Sequence, residues 1–451
     1  YDPAISGRIV VWTDEQNDRG DVCGADLTDL DNIRTFEVAK GYGTQWQAAI
    51  EGPLVACMDD SAMGGGIRLA CVTRSHGVLI LNMPVSLPGV MPALDGTTLV
   101  WLSSAYGPIQ GLTLDVGYSI FDGRVENAGT GLRYDSLQHA VAGAGQGDEI
   151  VVPAGVYEEK VDFLGKPITI RSTDPNDPTV VAATILRSLG STVVFANGEK
   201  PGSVLAGFTV TGGREAVYCY DSAPTITHCE IAGCGGPGVR LTGESDPAIA
   251  QTRIVANRAA GVEMTAYGEG RVVKQSKATI RNCIIAGNRG QGVHGSKPTL
   301  VNCTVVENSS YGVEASSPTV TNSILYFNNP SDGAQIKSNR ATVTYSDVQG
   351  GWEGDGNIDA DPLFVGVGQW TDGVWASGDY HLVSQGWRWD SEAGSWVSDA
   401  ATSPCIDAGD PVSELFNEPL TTPQGDAAVN VRINMGVYGG TAQASLAPAN
   451  P

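Results

Sequence analysis

The sequence predicts an all-β protein: a parallel β-helix preceded by a partial, about three-blade, propeller-like region. Three observations predict it. Four stretches repeat one pattern, PTITHCEIAGCGGPGV from Pro224, PAIAQTRIVANRAAGV from Pro247, ATIRNCIIAGNRGQGV from Ala278 and PTLVNCTVVENSSYGV from Pro298, and PTVTNSILYFNN from Pro318 begins it again. A second, longer repeat occupies the amino-terminal region. The composition, with 58 Gly in 451 residues and aromatics at 7%, suits a turn-rich β protein without long helices.

In the amino-terminal repeat, YDPAISGRIVVW, QWQAAIEGPLVAC and MPALDGTTLVW share a register. Ile5, Ile50 and Leu94 recur at intervals of 50 − 5 = 45 and 94 − 50 = 44 residues, which suits four short antiparallel strands per unit, the period of a propeller blade. The units resemble TolB-like propeller repeats, with a small-apolar pair, a Gly turn and an apolar strand ending in Trp. That resemblance implies a further strand at Gly20-Asp21-Val22-Cys23 and at Gly65-Gly66-Ile67-Arg68, while the third unit lacks the acidic residues after Trp101. Three blades fall short of a closed ring. Residues 1–128 are therefore expected to draw missing blades from upstream of Tyr1 or from another chain, or to form an open stack.

At the junction, Ser136 is placed to cap a short helix whose apolar face is Leu137, Ala140 and Val141. A turn at Gly147-Asp148 then enters the strand Ile150-Val151-Val152. An amphipathic helix over the open end of a solenoid hides its core and its first unpaired edge. The run from Gly147 to Tyr157 resembles the entry of pectin-lyase-like β-helices, G-D-x-I-x-V-x-x-G-x-Y. The resemblance implies a right-handed parallel β-helix, here over residues 129–347, and speaks to fold rather than function.

Within the solenoid, Pro298 to Pro318 is 20 residues, one coil, and each coil rises about 4.8 Å, the spacing of neighbouring strands. Ile226, Ile249, Ile280, Leu300 and Val320 share one register, and Ile231, Ile254, Ile285, Val305 and Leu325 another, five residues on. Both are apolar and largely β-branched, as inward strand positions should be. Between them Cys229, Thr252, Cys283, Cys303 and Ser323 form a column of small side chains where the wall bends. Asn257, Asn288, Asn308 and Asn328 mark a turn, where left-handed backbone and stacked amides are expected. Asn282, Asn302 and Asn322 are expected to repeat the device at a second corner.

Residues 348–446 read as a Trp-rich cap and 447–451 as a tail. NIDADPLFV from Asn357, GDYHLVSQG from Gly378, SPCIDAGDP from Ser403 and INMGVYGGTAQAS from Ile433 resemble the terminal region of extracellular right-handed β-helix proteins abundant in planctomycete-like bacteria. The resemblance spans roughly residues 130 to 446 and implies an extracellular or cell-surface location. The start at Tyr1, without Met or signal peptide, reads as a mature or excised piece of something longer. Six of the nine tryptophans fall between Trp352 and Trp396. Exposed, Trp375, Trp387 and Trp389, with Tyr267, would stack on sugar rings; buried, the indoles would plug the open end of the solenoid, the favoured reading.

A formal charge of −23 argues against nucleic-acid or anionic-membrane partners, and no apolar run reaches the roughly 20 residues of a membrane span. The nine cysteines do not form a disulfide framework. Cys57 and Cys71 flank a hairpin and are candidates to pair across it, which leaves the redox compartment open. After the Asn turn the repeats read GVR, GVE, GVH and GVE, with Val inward and the next residue outward. This places Arg240, Glu263, His294 and Glu314 in one surface column, beside the inserted segment 265–276 with Tyr267, Arg271 and Lys274. Such a face, with His294 raised in pKa between two carboxylates, suits acid/base work on a uronate. The plainer reading is mutual charge compensation on a wet face.

Neither the arginine-rich signature of pectate lyases, nor the Gly-His-Gly element of polygalacturonases, nor the Tyr-Gly-Phe-Asp-Pro-His run of alginate epimerases occurs in the sequence. Asp355, Asn357, Asp359 and Asp361 alternate as calcium ligands do, but Ala360 and Gly366 break an EF-hand loop, so a structural turn is favoured and no cofactor is required. The reading is a non-catalytic extracellular scaffold or adhesin that self-associates through its incomplete propeller. The alternatives are a polysaccharide lyase or glycoside hydrolase acting on an acidic glycan, and a carbohydrate-binding module.

Overall fold

The structure, a computed structural model, describes residues 125–134, 136–265, 274–425 and 430–448, and before them Pro3 and the strands between Ala4 and Thr113. It divides into two units, Tyr1–Ala140 and Val141–Pro451.

In the first unit the described strands between Ala4 and Thr113 make three antiparallel sheets, each in simple chain order, and Val125–Asn127 and Arg133–Tyr134 form a further antiparallel pair. The first holds Ala4–Ser6, Ile9–Asp14, Asp21–Asp26 and Arg34–Ala39; the second Gln45–Glu51, Leu54–Asp59, Gly66–Val72 and Val78–Leu81; the third Val90–Asp95, Thr98–Leu102 and Ile109–Thr113. The sequence repeat is also a structural register: Ile5 faces Val10, Ile50 faces Val55 and Leu94 faces Leu99 across the opening hairpin of each sheet. Val11, Val22, Ile50, Val55 and Cys57 pack as one apolar cluster. The candidate Cys57–Cys71 pair does not fit the register, which sets Cys57 opposite Arg68 and Cys71 opposite Leu54. Three residues of strand separate the two positions, about 10 Å, beyond the roughly 7 Å a disulfide spans.

Leu137–Gly143 is the short helix at the junction. Ser136 Oγ accepts a hydrogen bond from the His139 amide at 3.3 Å, and Leu137, Ala140 and Val141 are fully buried. At its far end Lys166 Nζ donates to the carbonyls of Val141, Ala142 and Ala144, supplying partners that the last helical turn lacks.

Beyond the helix, successive coils each place a strand in three parallel sheets. The first sheet runs from Glu149–Val152 to Thr342–Thr344, the second from Gly155–Tyr157 to Asp347–Val348, and the third from Val161–Asp162 to Ile336–Lys337. Pairing is in register, so side chains stack by column. Ile170, Leu205, Ile226, Ile249, Ile280, Leu300, Val320 and Val343 follow one another inside the first sheet. Leu186, Val210, Ile231, Ile254, Ile285, Val305 and Leu325 do so inside the second. All are essentially buried, and each contributes roughly 1.5–3 kcal/mol. The column of small residues is also inside. There burial pushes the Cys229 thiol up to about 11 and the Cys303 thiol up to about 12, so both are packing groups rather than nucleophiles.

The asparagines divide into two devices. Asn257, Asn288, Asn308 and Asn328 form a buried ladder: each Nδ2 donates to the next Oδ1 at 2.9, 2.9 and 2.8 Å, and Asn328 passes the chain to Gln335 at 2.8 Å. The left-handed residues are not the ladder asparagines, as expected from sequence, but their predecessors Ala256, Gly287, Glu307 and Phe327. Beside the ladder, Gly261 and Gly292 are required by close approach. A Cβ on Gly292 would lie 2.6 Å from the Gly312 carbonyl and from Val305 Cγ1. This explains the recurring Gly-Val of the repeat.

The second column, Asn282, Asn302 and Asn322, is left-handed, with φ of 50°, 51° and 53°, and is not a ladder. These side chains point outward and hold the carboxy-terminal segment. Asn282 Nδ2 donates to the Val437 and Gly439 carbonyls, Asn302 Nδ2 to the Asn434 carbonyl, and Asn322 Oδ1 accepts from the Asp410 amide.

That segment is a strap rather than a plug. Residues 355–358 close onto the last coil through Tyr345 N to Asp355 O and Val348 N to Ile358 O. The chain then runs back along the flank. Tyr380 and Val437 pack on Val255, Ile284, Ala286 and Val306 of the second sheet, and Leu382, Cys405, Ile406 and Met435 pack on Ile324. The expectation that the Trp-rich segment plugs the open end is corrected accordingly: the second sheet is apolar on both faces, and its outer face needs a cover.

Candidate functional site

The outer face of the third sheet faces solvent, and its register brings the predicted column together. Arg240 pairs with Glu263, Glu263 with His294, His294 with Glu314, and Glu314 with Lys337, coil by coil. Oppositely charged neighbours one strand spacing apart contribute roughly 0.2–1 kcal/mol a pair. Arg240 Nη2 lies 3.0 Å from Glu263 Oε2 and Lys337 Nζ 2.9 Å from Glu314 Oε1. Gln291 Nε2 donates to Glu314 Oε2 at 2.6 Å. The Lys337 hydrogen bond, aided by Gln291, holds the Glu314 carboxyl below the usual carboxylate range despite partial burial. Above the column, the fully buried Glu215 carboxylate lies 2.7 Å from Arg214 and 3.8 Å from Arg240.

At the carboxy-terminal end the column opens into a concavity of about 380 Å³ lined by His294, Glu314, Ser316, Lys337, Ser338, Asn339 and Arg340. Among the described residues His294 makes no hydrogen bond and Arg340 no ion pair, so an imidazole and a guanidinium are both open to a ligand. Glu314 is taken by Lys337 and Gln291, while the Lys337 ammonium, its side chain 57% exposed, keeps donors for a further partner. The site thus offers one open acid/base group, one open planar cation and hydroxyl and amide hydrogen-bonding groups.

Other predicted residues lie elsewhere. Lys274 is held by Asp221 at 2.9 Å and does not line the concavity; Tyr267 and Arg271 fall outside the described residues. The tryptophans are half-buried on two hairpins. Trp375 opposes Trp370, whose Nε1 donates to the Gly287 carbonyl on the solenoid flank. Trp389 opposes Trp396 edge-on at 5.8 Å, and Trp387 bridges to Leu446.

Of the four predicted ligands, the side chains of Asn357, Asp359 and Asp361 serve the backbone, and Asp355 contributes its carbonyl, which accepts from the Tyr345 amide. Asn357 accepts from Ser346 N and donates to Val343 O, Asp359 accepts from Gly350 N, and Asp361 from Leu363 N. Among the described residues no group of three or more His, Cys, Asp or Glu converges as a metal ion requires.

Lys337 and Arg340 were missed because the Gly-Val signature ends after Glu314. The next coil reads GAQIKSNR, where Ile336 takes the inward Val position and Lys337 the outward one. An apolar residue followed by a charge at the expected place was the available signal.

Fold and site together define a right-handed parallel β-helix with a charged cleft on one outer face. The family described as "Right handed beta helix region" matches residues 178–371. Among solved structures the chain is similar to the crystal structure of pectate lyase Pel9A, with TM-score 0.31 and 13% identity, covering 69% of this chain and 94% of that one. No curated protein matches.

Proposed function

We propose that this β-helix acts on an acidic glycan as a polysaccharide lyase, through the cleft at His294. The observation that carries the reading is the juxtaposition of the open His294 imidazole with Lys337 and the open Arg340 guanidinium in one concavity. In β-elimination a base removes the proton beside a uronate carboxylate, and cations stabilise the charge that develops on that carboxylate. His294 is the base in this reading, and Arg340 and Lys337 are the carboxylate's partners.

Lyase chemistry is favoured over hydrolysis because a hydrolase needs one protonated carboxylic acid. Here Glu263 and Glu314 are both ion-paired to cations. The wider setting of the proposal is extracellular or at the cell surface, from the resemblance to planctomycete-type repeat proteins. The second reading is a non-catalytic scaffold that assembles through its propeller-like repeats, to which the in-register, laddered solenoid would lend rigidity.

The test is incubation with a panel of acidic polysaccharides while unsaturated products are followed by their absorbance. Turnover that falls by about 10³-fold in His294→Ala, with binding retained, is the expected result. Turnover unaffected by His294→Ala would move the chemistry elsewhere, and its absence on every acidic substrate would return the scaffold reading to first place.

A further inference from the structure

The strap covers the flank of the second sheet, and two carboxylates of the solenoid lie beneath it. Glu307 stands at a left-handed corner, φ 56°. Its Oε2 accepts from the Tyr380 hydroxyl of the strap at 2.6 Å, and its Oε1 is buried without a partner among the described residues. Asp347, fully buried, accepts from Cys405 Sγ at 3.2 Å and from the Ala360 amide at 3.2 Å. No cation pairs with either group among the described residues. Around Glu307 the strap presents Tyr380 and the backbone of Gly368, while Arg253, which acts on Tyr380, is held by Glu230 at 3.3 Å. Around Asp347 it presents Cys405, Asp359 and Asp361, and the solenoid presents Tyr326. An ionised carboxylate covered in this way has lost its water without gaining a counter-charge.

We propose that the strap is a pH-operated latch, closed on the flank while Glu307 and Asp347 are protonated and lifted as they ionise, uncovering the apolar face of Val255, Ile284, Ala286 and Val306. Burial raises Glu307 to about 7 and Asp347 to about 6. Groups raised in the closed form stabilise it fully below their ordinary values, and that stabilisation is lost as pH rises through the raised ones. The window is therefore pH 4 to about 7. Each carboxylate shifts the open–closed ratio on the order of a hundredfold across it. A latch of this kind is independent of the His294 cleft, which lies on the third sheet.

The experiment is hydrogen–deuterium exchange of the whole chain, read on residues 364–382 and 403–440 and corrected for intrinsic rates, between pH 4.5 and 8. Strap protection is expected to fall about a hundredfold or more with rising pH while the inner ladder of the solenoid stays protected. In the double variant Glu307→Gln, Asp347→Asn the strap should stay closed throughout. Tyr380→Phe, which removes a donor to the charged form of Glu307, should move the upper step to higher pH. Protection independent of pH in the native chain, an unchanged pH response in the double variant, or a downward or absent shift in Tyr380→Phe would each overturn the latch.

Discussion

Asn308 makes four side-chain hydrogen bonds to its neighbouring coils. It donates to Asn328 Oδ1 and the Ile285 carbonyl, and it accepts from the amide and the side chain of Asn288. Because the site is sealed, Asn308→Ala strands polar groups that water cannot reach, and the variant should lose roughly 2–4 kcal/mol, read as a lower thermal midpoint. A loss under about 0.5 kcal/mol would mean the ladder is ornamental. Asn302 tests the other column. Asn302→Gly keeps the left-handed backbone and removes the ties to the Asn434 carbonyl and, at 3.4 Å, the Gly436 carbonyl, so strap protection should fall by roughly tenfold, about the worth of one good hydrogen bond. Asn302→Ala adds the left-handed penalty of about 1–2 kcal/mol and should fall further. The register of both columns was legible in the sequence. Which one faces inward was not, since an amide serves equally in a stacked interior and as an outward donor.

At the scale of elements, each coil's first and third strands keep one face inward and one polar face outward, while the second does not. The runs RIVAN, CIIAG, CTVVEN and SILYF are apolar on consecutive residues, and a strand that is apolar on both faces must be covered on both. That signal was present in the sequence, although the Trp-rich segment read as an end plug rather than as this cover. The tryptophans obscured it, because aromatic clusters suit an end plug as well as a hairpin laid along a flank. The third sheet shows the converse. Its outward residues alternate in charge from Arg240 to Lys337 and were readable as a column, yet its two open groups depend on details that spacing does not carry. His294 is left open because Glu314 is already taken by Lys337 and Gln291.

For the whole molecule, the solenoid is a stack in which each coil is stabilised by its neighbours, which gives the cleft a rigid base while the strap occupies a different flank. The net charge of −23 would repel an acidic glycan at long range. Recognition must then come from the local cations Lys337 and Arg340, and it should weaken with salt. No helix among the described residues is long and apolar enough to cross a membrane.

The central claim is that an acidic glycan docks on the third sheet. The measurement that tests it most directly is an exchange footprint of the whole chain with and without an acidic oligosaccharide series. The account predicts protection confined to residues 293–295, 313–316 and 336–340, absent with neutral oligosaccharides and lost in Arg340→Ala. Protection centred on Trp387, Trp389 and Trp396, or none on the third sheet with any acidic glycan, would contradict it.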